Sequence, residues 1–365
     1  MRADTPALPG VLTAHEVAET AASIVRVQRA DGGIPWAAND LHIDPWNHVE
    51  AAMALLVAGE IEAAERAYGW TLSHQRTDGS WPMRVTDGAI EDPSADTNMC
   101  AYLAVGVWHH WLVRRDESFV RRYWPAVRRA LDYVAGLQLP FGGIAWSQEH
   151  SLEGEPGRVN EDGLLAGSSS IYHSFKAGVA LSELMDEPQP EWEIVAGRLG
   201  HAVREHRDRF LDKSNFSMDW YYPVLGGSVR GEAGFELLAS RWHEFVEPGY
   251  GIRCVLENRW LTGAETCELA MALDSLGDRE RALELVRNIQ HTRHAEGSYW
   301  TGYVLPDDVY WPEEQTTYTS AAVILAVDAL SNTTPGSAIF RGTTLPPDFE
   351  EIALECGCSD ARILS

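Results

Sequence analysis

Along the chain, two kinds of helical segment alternate. VAETAASIVRVQ, EIEAAERAYGWTLSHQ and FVRRYWPAVRRALDYVAGLQ carry charged residues on one face and apolar residues on the other, the pattern of helices at a protein surface. Each ends in a glutamine and runs into a Gly/aromatic turn: RADGGIPW, RTDGSW or GGIAW. A second helix follows, in DPWNHVEAAMALLVAG, SADTNMCAYLAVGVWHHWLV and GSSSIYHSFKAGVALSEL. Past its first turn it is nearly apolar all round, and such a helix belongs in an interior. The same unit returns late in the chain as RERALELVRNIQ, AEGSYWTGYV and PEEQTTYTSAAVILAVDAL. The repeated glutamines are Gln28, Gln75, Gln138 and Gln290.

Repetition of one outer and one inner helix predicts an all-α fold, an (α/α)6 toroid. Five pairs are clear. A fourth unit begins with WEIVAGRLGHAVREHRDRF, its turn decayed to NFSMDWYYPVLGG; the stretch 214–263 is irregular, with a short helical segment, GEAGFELLASRW, and strand-like GIRCVLENRW, and a sixth pair is argued there. The expected domain is a single toroid over 1–333, with a C-terminal tail, 334–365, packed on it. Loops from outer to inner helices are long and aromatic, whereas the return loops are short. The site is therefore expected on the rim where inner helices begin.

Composition narrows the partners. The 365 residues carry 29 Lys+Arg against 54 Asp+Glu, a net charge of −25. Such a chain repels phosphate backbones and anionic membrane surfaces, so neither nucleic acid nor membrane is expected as a partner. The five cysteines are irregularly spaced and imply no disulfide framework. The start lacks a signal-peptide pattern and no apolar run is long enough to span a bilayer, so a cytoplasmic protein is expected. No cofactor or metal is called for; Cys356 and Cys358 read as part of a tail. Oligomeric state is left open.

The inner-helix starts offer what sugar chemistry uses. Glycosidic cleavage needs one carboxylic acid to protonate the leaving oxygen and one carboxylate to activate water, roughly 6.5–9.5 Å apart for inversion. Carboxylates fall at Asp44 (HIDPWNH), Asp96 (PSADTNM), Glu265 (TGAETCE) and Glu313–Glu314 (YWPEEQT). Asp44 precedes Pro45, an N-cap with proline at the first helical position. Thr262 and Glu265 fit a capping box. Many of the 14 tryptophans lie on this rim: Trp36, Trp46, Trp81, Trp146, Trp220, Trp300 and Trp311. A helix N-terminus favours an ionised carboxylate, which suits a base, whereas an acid must be held protonated by burial or a neighbouring charge. Asp44 is thus expected as base and Glu265, near Glu268 and Trp260, as acid, with Glu314 as an alternative base. Substrate contacts are expected from Trp36, Trp46, His48, Asp96, His173, Tyr221 and Trp300. The partner is then an oligosaccharide or polysaccharide. A saccharide-binding protein without catalysis, and a lyase using Tyr299, Tyr303 or His294, are the competing sugar-directed readings.

Three resemblances bear on this. The Gln-x-x-Asp-Gly-x-Trp turn at 75–81 resembles the repeats of squalene-hopene cyclases and prenyltransferases, which would imply isoprenoid chemistry. The Asp-x-Asp-Asp motif of those cyclases is absent, and Glu265-Thr-Cys267 with His291 or His294 only distantly echoes a prenyltransferase zinc site. WPEEQTTYTSAAVILA resembles the Pro-Glu-Gln segment of bacterial glucoamylase-like enzymes, which would make Glu314 the base. Finally, the order DGGIPW, DPWNHVEAAMAL, YYPVLGG, TGAETCELAMALD, GSYWTGYV resembles bacterial proteins often labelled prenyltransferases, some of which hydrolyse methylmannose polysaccharides. This last resemblance covers most of the chain and implies endo-hydrolysis of an O-methylated α-mannoside.

Overall fold

A computed structural model describes residues 4–349. The described residues are mostly helical: α1 (Ala14–Val27), α2 (Pro45–Val57), α3 (Ile61–His74), α4 (Thr97–Ala101), α5 (Leu103–Arg114), α6 (Glu117–Ala135), α7 (Leu165–Leu184), α8 (Pro190–Glu205), α9 (Ser217–Leu225), α10 (Gly231–Phe245), α11 (Gly263–Ser275), α12 (Arg279–Asn288) and α13 (Thr317–Ser331). The helices α4 and α5 follow one another through Tyr102. The two kinds of helix read from the sequence are present. Nearly every residue of α2, α11 and α13 is buried, while α6 buries one stripe and leaves its arginines in solvent.

The degenerate turn of the fourth unit is itself an inner helix. Within NFSMDWYYPVLGG lies α9, only nine residues long with Pro223 inside it, too short for a helical period to stand out. In chain order it is the inner helix after α8, and α10 is the outer helix before α11; by contact, α9 packs on α7, α10 and α11. Six outer–inner pairs result. The inner helices pack in a cyclic order: α2 on α5, α5 on α7, α7 on α9, α9 on α11, α11 on α13, and α13 back on α2.

The repeated glutamines explain how the units register. The Gln28 side-chain amide donates to the Gly32 carbonyl in its own turn (3.0 Å) and to Ala63 of the next outer helix (2.9 Å). Gln75 does the same to Gly79 and Ala126, and Gln138 to Gly142 and Val195. Each clamp fixes a turn against its neighbour while satisfying carbonyls that would otherwise be orphaned. Gln290 departs from the pattern: it donates to Val286 of its own helix and accepts from Tyr299. Gly297 nevertheless sits against the Glu19 backbone of α1, as Gly32 sits against Arg66, which joins the last unit to the first.

The expectation of an all-α chain needs one addition. Three small antiparallel sheets run through the loops that precede inner helices. His42–Ile43 pairs with Arg84–Thr86, Ala95–Asp96 with Ser147–His150, and Trp260–Thr262 with Gly302–Val304. Each of these pairings ties the loop of one unit to the loop of the next. Two local expectations are also corrected. Thr262 makes no side-chain cap on α11, so Thr262 and Glu265 form no capping box. Glu313 and Glu314 precede the last inner helix, which begins at Thr317 and is capped by Thr316.

At the opposite end from those loops, residues 334–349 lie across the inner-helix C-termini. Arg341 donates to the Ala329 carbonyl and to Asp274, and Arg230 donates to the Phe340 carbonyl. Of the calls on the tail, Cys356 and Cys358 lie outside the described residues.

Candidate active site

At the rim where inner helices begin, a cavity of about 340 Å³ opens between the loops. Asp44, Asp96 and Glu265 all line it, as do Trp36, Trp46 and Trp146. Asp44 is the N-cap of α2: the Asn47 N–H donates to its Oδ1 (2.9 Å) and the Asn47 side-chain amide to its Oδ2 (2.6 Å). Burial raises its proton affinity, and the Asn47 hydrogen bonds and nearby His42 oppose that rise. Asp96 caps α4 through the Met99 N–H (3.0 Å). Burial pushes it up to about 6, with the Asp44 charge adding to the rise. Glu265 lies in the first turn of α11, with 7% of its surface exposed. Burial raises its pKa, against hydrogen bonding from Thr262 and Cys254.

The ring order puts α13 between α2 and α11, so Asp44 and Glu265 approach the cavity from either side of that helix. Its Tyr318 occupies the gap: the ring stacks at 6.1 Å on Trp36 and meets Trp46 edge-on at 5.6 Å. Trp46 in turn stacks on Tyr102 at 4.5 Å. Met99, Ile144, Leu164, Ile171 and Met218 give the cavity an apolar stretch of wall, beside polar Thr97, Asn98 and Ser168. Two buried polar atoms of cavity-lining residues, Trp46 Nε1 and Asn98 Oδ1, have no protein partner.

Glu314 lies outside this cavity. It borders an adjoining groove of about 760 Å³, shared with Trp36, Asp44 and Asn47, and accepts from Trp36 Nε1 at 3.1 Å. Trp300 faces a separate side pocket with Glu313 and Gln315. His48 does not reach the cavity. Its Nδ1 accepts from the Ile34 N–H (3.1 Å) and its Nε2–H donates to the Ala67 carbonyl (2.8 Å). Burial holds its pKa down to about 4, so it is a neutral strut between the first turn and α3. His173 lies lower in the ring, against Phe340. Tyr221 is fully buried and donates to Glu268. Of the rim tryptophans, Trp81 and Trp220 are packing residues whose indole N–H groups donate to the Thr71 and Leu237 carbonyls.

Asn47, polar and three residues after the N-cap in the sequence, returns its amide to Asp44, whereas Tyr222, Tyr318 and Met218 were not legible as site residues. The tyrosines sit in apolar helices and gave no signal.

The described residues hold no cluster of His, Cys, Asp and Glu arranged to bind a metal. No helix of the described residues is long and apolar enough to cross a membrane. No family model matches the chain. Among solved structures, a protein described as a wild-type glycosidase superposes with a TM-score of 0.67 at 17% identity, covering 88% of this chain and 97% of its own. A D-mannose isomerase gives 0.63 at 10% identity, covering 86% and 96%. At these identities the likeness speaks for the fold alone. A curated relative speaks for more: the MMP endo-(1,4)-3-O-methyl-alpha-D-mannosidase of Mycolicibacterium hassiacum is 50% identical over 357 residues, 98% of this chain and 97% of its own. With half of all positions shared along nearly the whole of both chains, this chain belongs to that family of glycoside hydrolases.

Proposed function

We propose that the chain is an (α/α)6 toroid that hydrolyses internal α-1,4 bonds of a 3-O-methylated mannose polysaccharide with inversion. Asp44 is the base and Glu265 the acid. The observation that carries this reading is the meeting of two carboxylates from non-adjacent inner helices in one aromatic-walled cavity. One intervening helix suits the wide separation that leaves room for a water, as inversion requires. Asp44, fixed by two hydrogen bonds from Asn47, stays oriented and activates that water. Burial raises the proton affinity of Glu265, the direction a general acid needs. Asp96 then serves as a sugar-hydroxyl acceptor, and Trp36, Trp46 and Trp146 as stacking faces.

The apolar wall suits the methyl ethers. A methylated oxygen no longer donates a hydrogen bond, so Met99, Ile171 and Met218 leave nothing unsatisfied when they cover it. The open groove beyond Trp36 gives an endo-acting enzyme somewhere to lay the rest of its chain. The same reading takes 1–333 as one catalytic domain with the C-terminal tail packed on it. A cytoplasmic setting is in keeping with the free thiols of Cys100, Cys254 and Cys267.

The test is hydrolysis of 3-O-methylated α-1,4-mannan oligosaccharides, with the anomer of the new reducing end followed by NMR. Wild type is expected to release the β-anomer first. Asp44→Asn and Glu265→Gln should each lose on the order of 10³-fold in kcat, since each removes one partner of a concerted acid–base pair. First release of the α-anomer, or activity retained in either variant, would sink the mechanism.

A further inference from the structure

Beneath the cavity lies a second pair of acids that this mechanism leaves unused. Glu50 of α2 and Glu268 of α11 each expose 1% of their surface and border a small chamber of about 10 Å³, room for about one water. Glu268 sits three residues after Glu265, on the same helix face. It accepts hydrogen bonds from three phenols: Tyr222 (2.7 Å), Tyr318 (2.8 Å) and Tyr221. Glu50 accepts one, from Tyr102 at 3.2 Å, and its Oε1 has no partner.

This asymmetry distributes the charge. Two carboxyl groups enclosed together cannot both ionise cheaply, and donors favour the ionised form. The group with three donors therefore carries the charge, and the group with one donor and an orphan oxygen carries the proton. Burial raises both groups: Glu268 to about 7, with the Glu265 charge adding and the three phenols opposing, and Glu50 well above the ordinary range, with the Glu268 charge adding, so Glu268 is the one that ionises first.

We propose that Glu268 is a positioning residue for hydrolysis: as a buried anion it ties Tyr222 and Tyr318 into a rigid cavity floor and keeps negative charge one helical turn below Glu265. Both tyrosines line the cavity, and Tyr318 braces Trp36 and Trp46. The aromatic platforms are thus fixed, through one ring, to one carboxylate. The charge favours the protonated form of Glu265, which is the form an acid needs. No other group facing Glu268 cancels it. Cys254 and Cys267 are held as thiols by burial, and His173 is held neutral by burial.

The proposal rests on Glu265 as the acid, and one experiment separates the two claims. Steady-state kinetics on a 3-O-methylated α-1,4-mannan oligosaccharide are measured across pH for wild type, Glu265→Gln, Glu268→Gln, Glu50→Gln and Tyr318→Phe. Glu268→Gln is expected to lower kcat at least tenfold and to move the alkaline limb of the kcat/KM profile to lower pH, because Glu265 then ionises more easily. Glu50→Gln mimics the protonated acid and should stay within twofold of wild type with its limb unmoved. Tyr318→Phe should raise KM more than it lowers kcat.

A folded Glu268→Gln enzyme with a wild-type kcat and limb overturns the proposal, as does a Glu50→Gln enzyme whose limb moves as far. Should Glu268→Gln fail to fold, Tyr222→Phe with Tyr318→Phe removes two of the three donors and keeps the rings. The same downward limb shift is expected there, and an unmoved limb overturns the proposal. An active Glu265→Gln enzyme overturns the acid assignment and this proposal together. An inactive one beside a normal Glu268→Gln overturns this proposal alone.

Discussion

Asp96 shows how a site residue can weaken the fold it belongs to. Its unfolded-state pKa lies near the ordinary 3.8, and in the fold burial pushes it up to about 6. The sign follows from linkage: the proton is held more tightly in the folded state. Its contribution to stability is complete below pH 3.8 and is lost as pH rises through about 6. Asparagine can still accept the Met99 N–H and carries no charge to desolvate. Asp96→Asn should therefore melt higher than wild type at pH 8, by a gain of about 1–2 kcal/mol once screening by water in the cavity is allowed for. At pH 4.5 about a third of that gain should remain, and near pH 3 the two proteins should melt almost together. An equal shift at pH 8 and near pH 3, read by circular dichroism, would show that something other than ionisation is at work. His48 is the contrasting residue. It stands at an inner-helix start as Asp44 does, yet both its nitrogens serve the backbone, because its side chain leaves the helix toward α3 rather than toward the cavity.

At the scale of the element, the turn that joins outer to inner helix is the unit of construction. In each of the first three units the glycine takes a positive φ, +98° at Gly32, +99° at Gly79 and +98° at Gly142. Each lies hard against a backbone carbonyl of the next outer helix. A Cβ on Gly79 would meet the Arg129 carbonyl oxygen at 2.2 Å. Gly59 also has a positive φ, +88°, but a Cβ there meets nothing within 4 Å. The pair separates backbone strain from contact. Gly59→Ala should cost about 1 kcal/mol, the left-handed penalty alone. Gly79→Ala should cost about 3 kcal/mol or more, since a rigid backbone must also move. Equal losses in urea unfolding would mean that the close approach relaxes freely. The resemblance of this turn to cyclase repeats is accounted for by the same clamp: glutamine and glycine here serve helix packing, not chemistry.

In the whole molecule, the ring of inner helices has the cavity at one end and the chain's last described residues across the other. Arg341 binds Asp274 at 2.6 Å and the Ala329 carbonyl at 2.9 Å, at the C-terminal ends of α11 and α13, where a cation also meets the favourable end of the helix dipole. Asp274 is 7% exposed, and its other basic neighbour, Arg279, stands at 3.7 Å. Arg341→Ala should therefore cost about 2–3 kcal/mol, most of it from stranding a buried carboxylate. The kcat of a folded Arg341→Ala enzyme should be unchanged, because Arg341 sits at the far end of the inner helices from the carboxylates. A fall in kcat without loss of stability would place this segment in the catalytic cycle instead.

The helical alternation, the rim where the cavity opens and the cap at Asp44 were all legible in the linear order, because each is a local matter of period, loop length or capping chemistry. The sequence also indicated the family, through motifs spread along most of the chain. Only the tertiary structure decided the sixth pair, since α9 is too short to display a period and is recognised by what it packs against. Likewise, Tyr222, Tyr318 and Glu268 look like ordinary members of buried helices until the ring brings α9, α11 and α13 together. Trp81 and Trp220 read much like Trp36 and Trp46 for the same reason. Whether an aromatic on an inner rim faces sugar or core depends on its neighbours' positions, which the linear order does not encode.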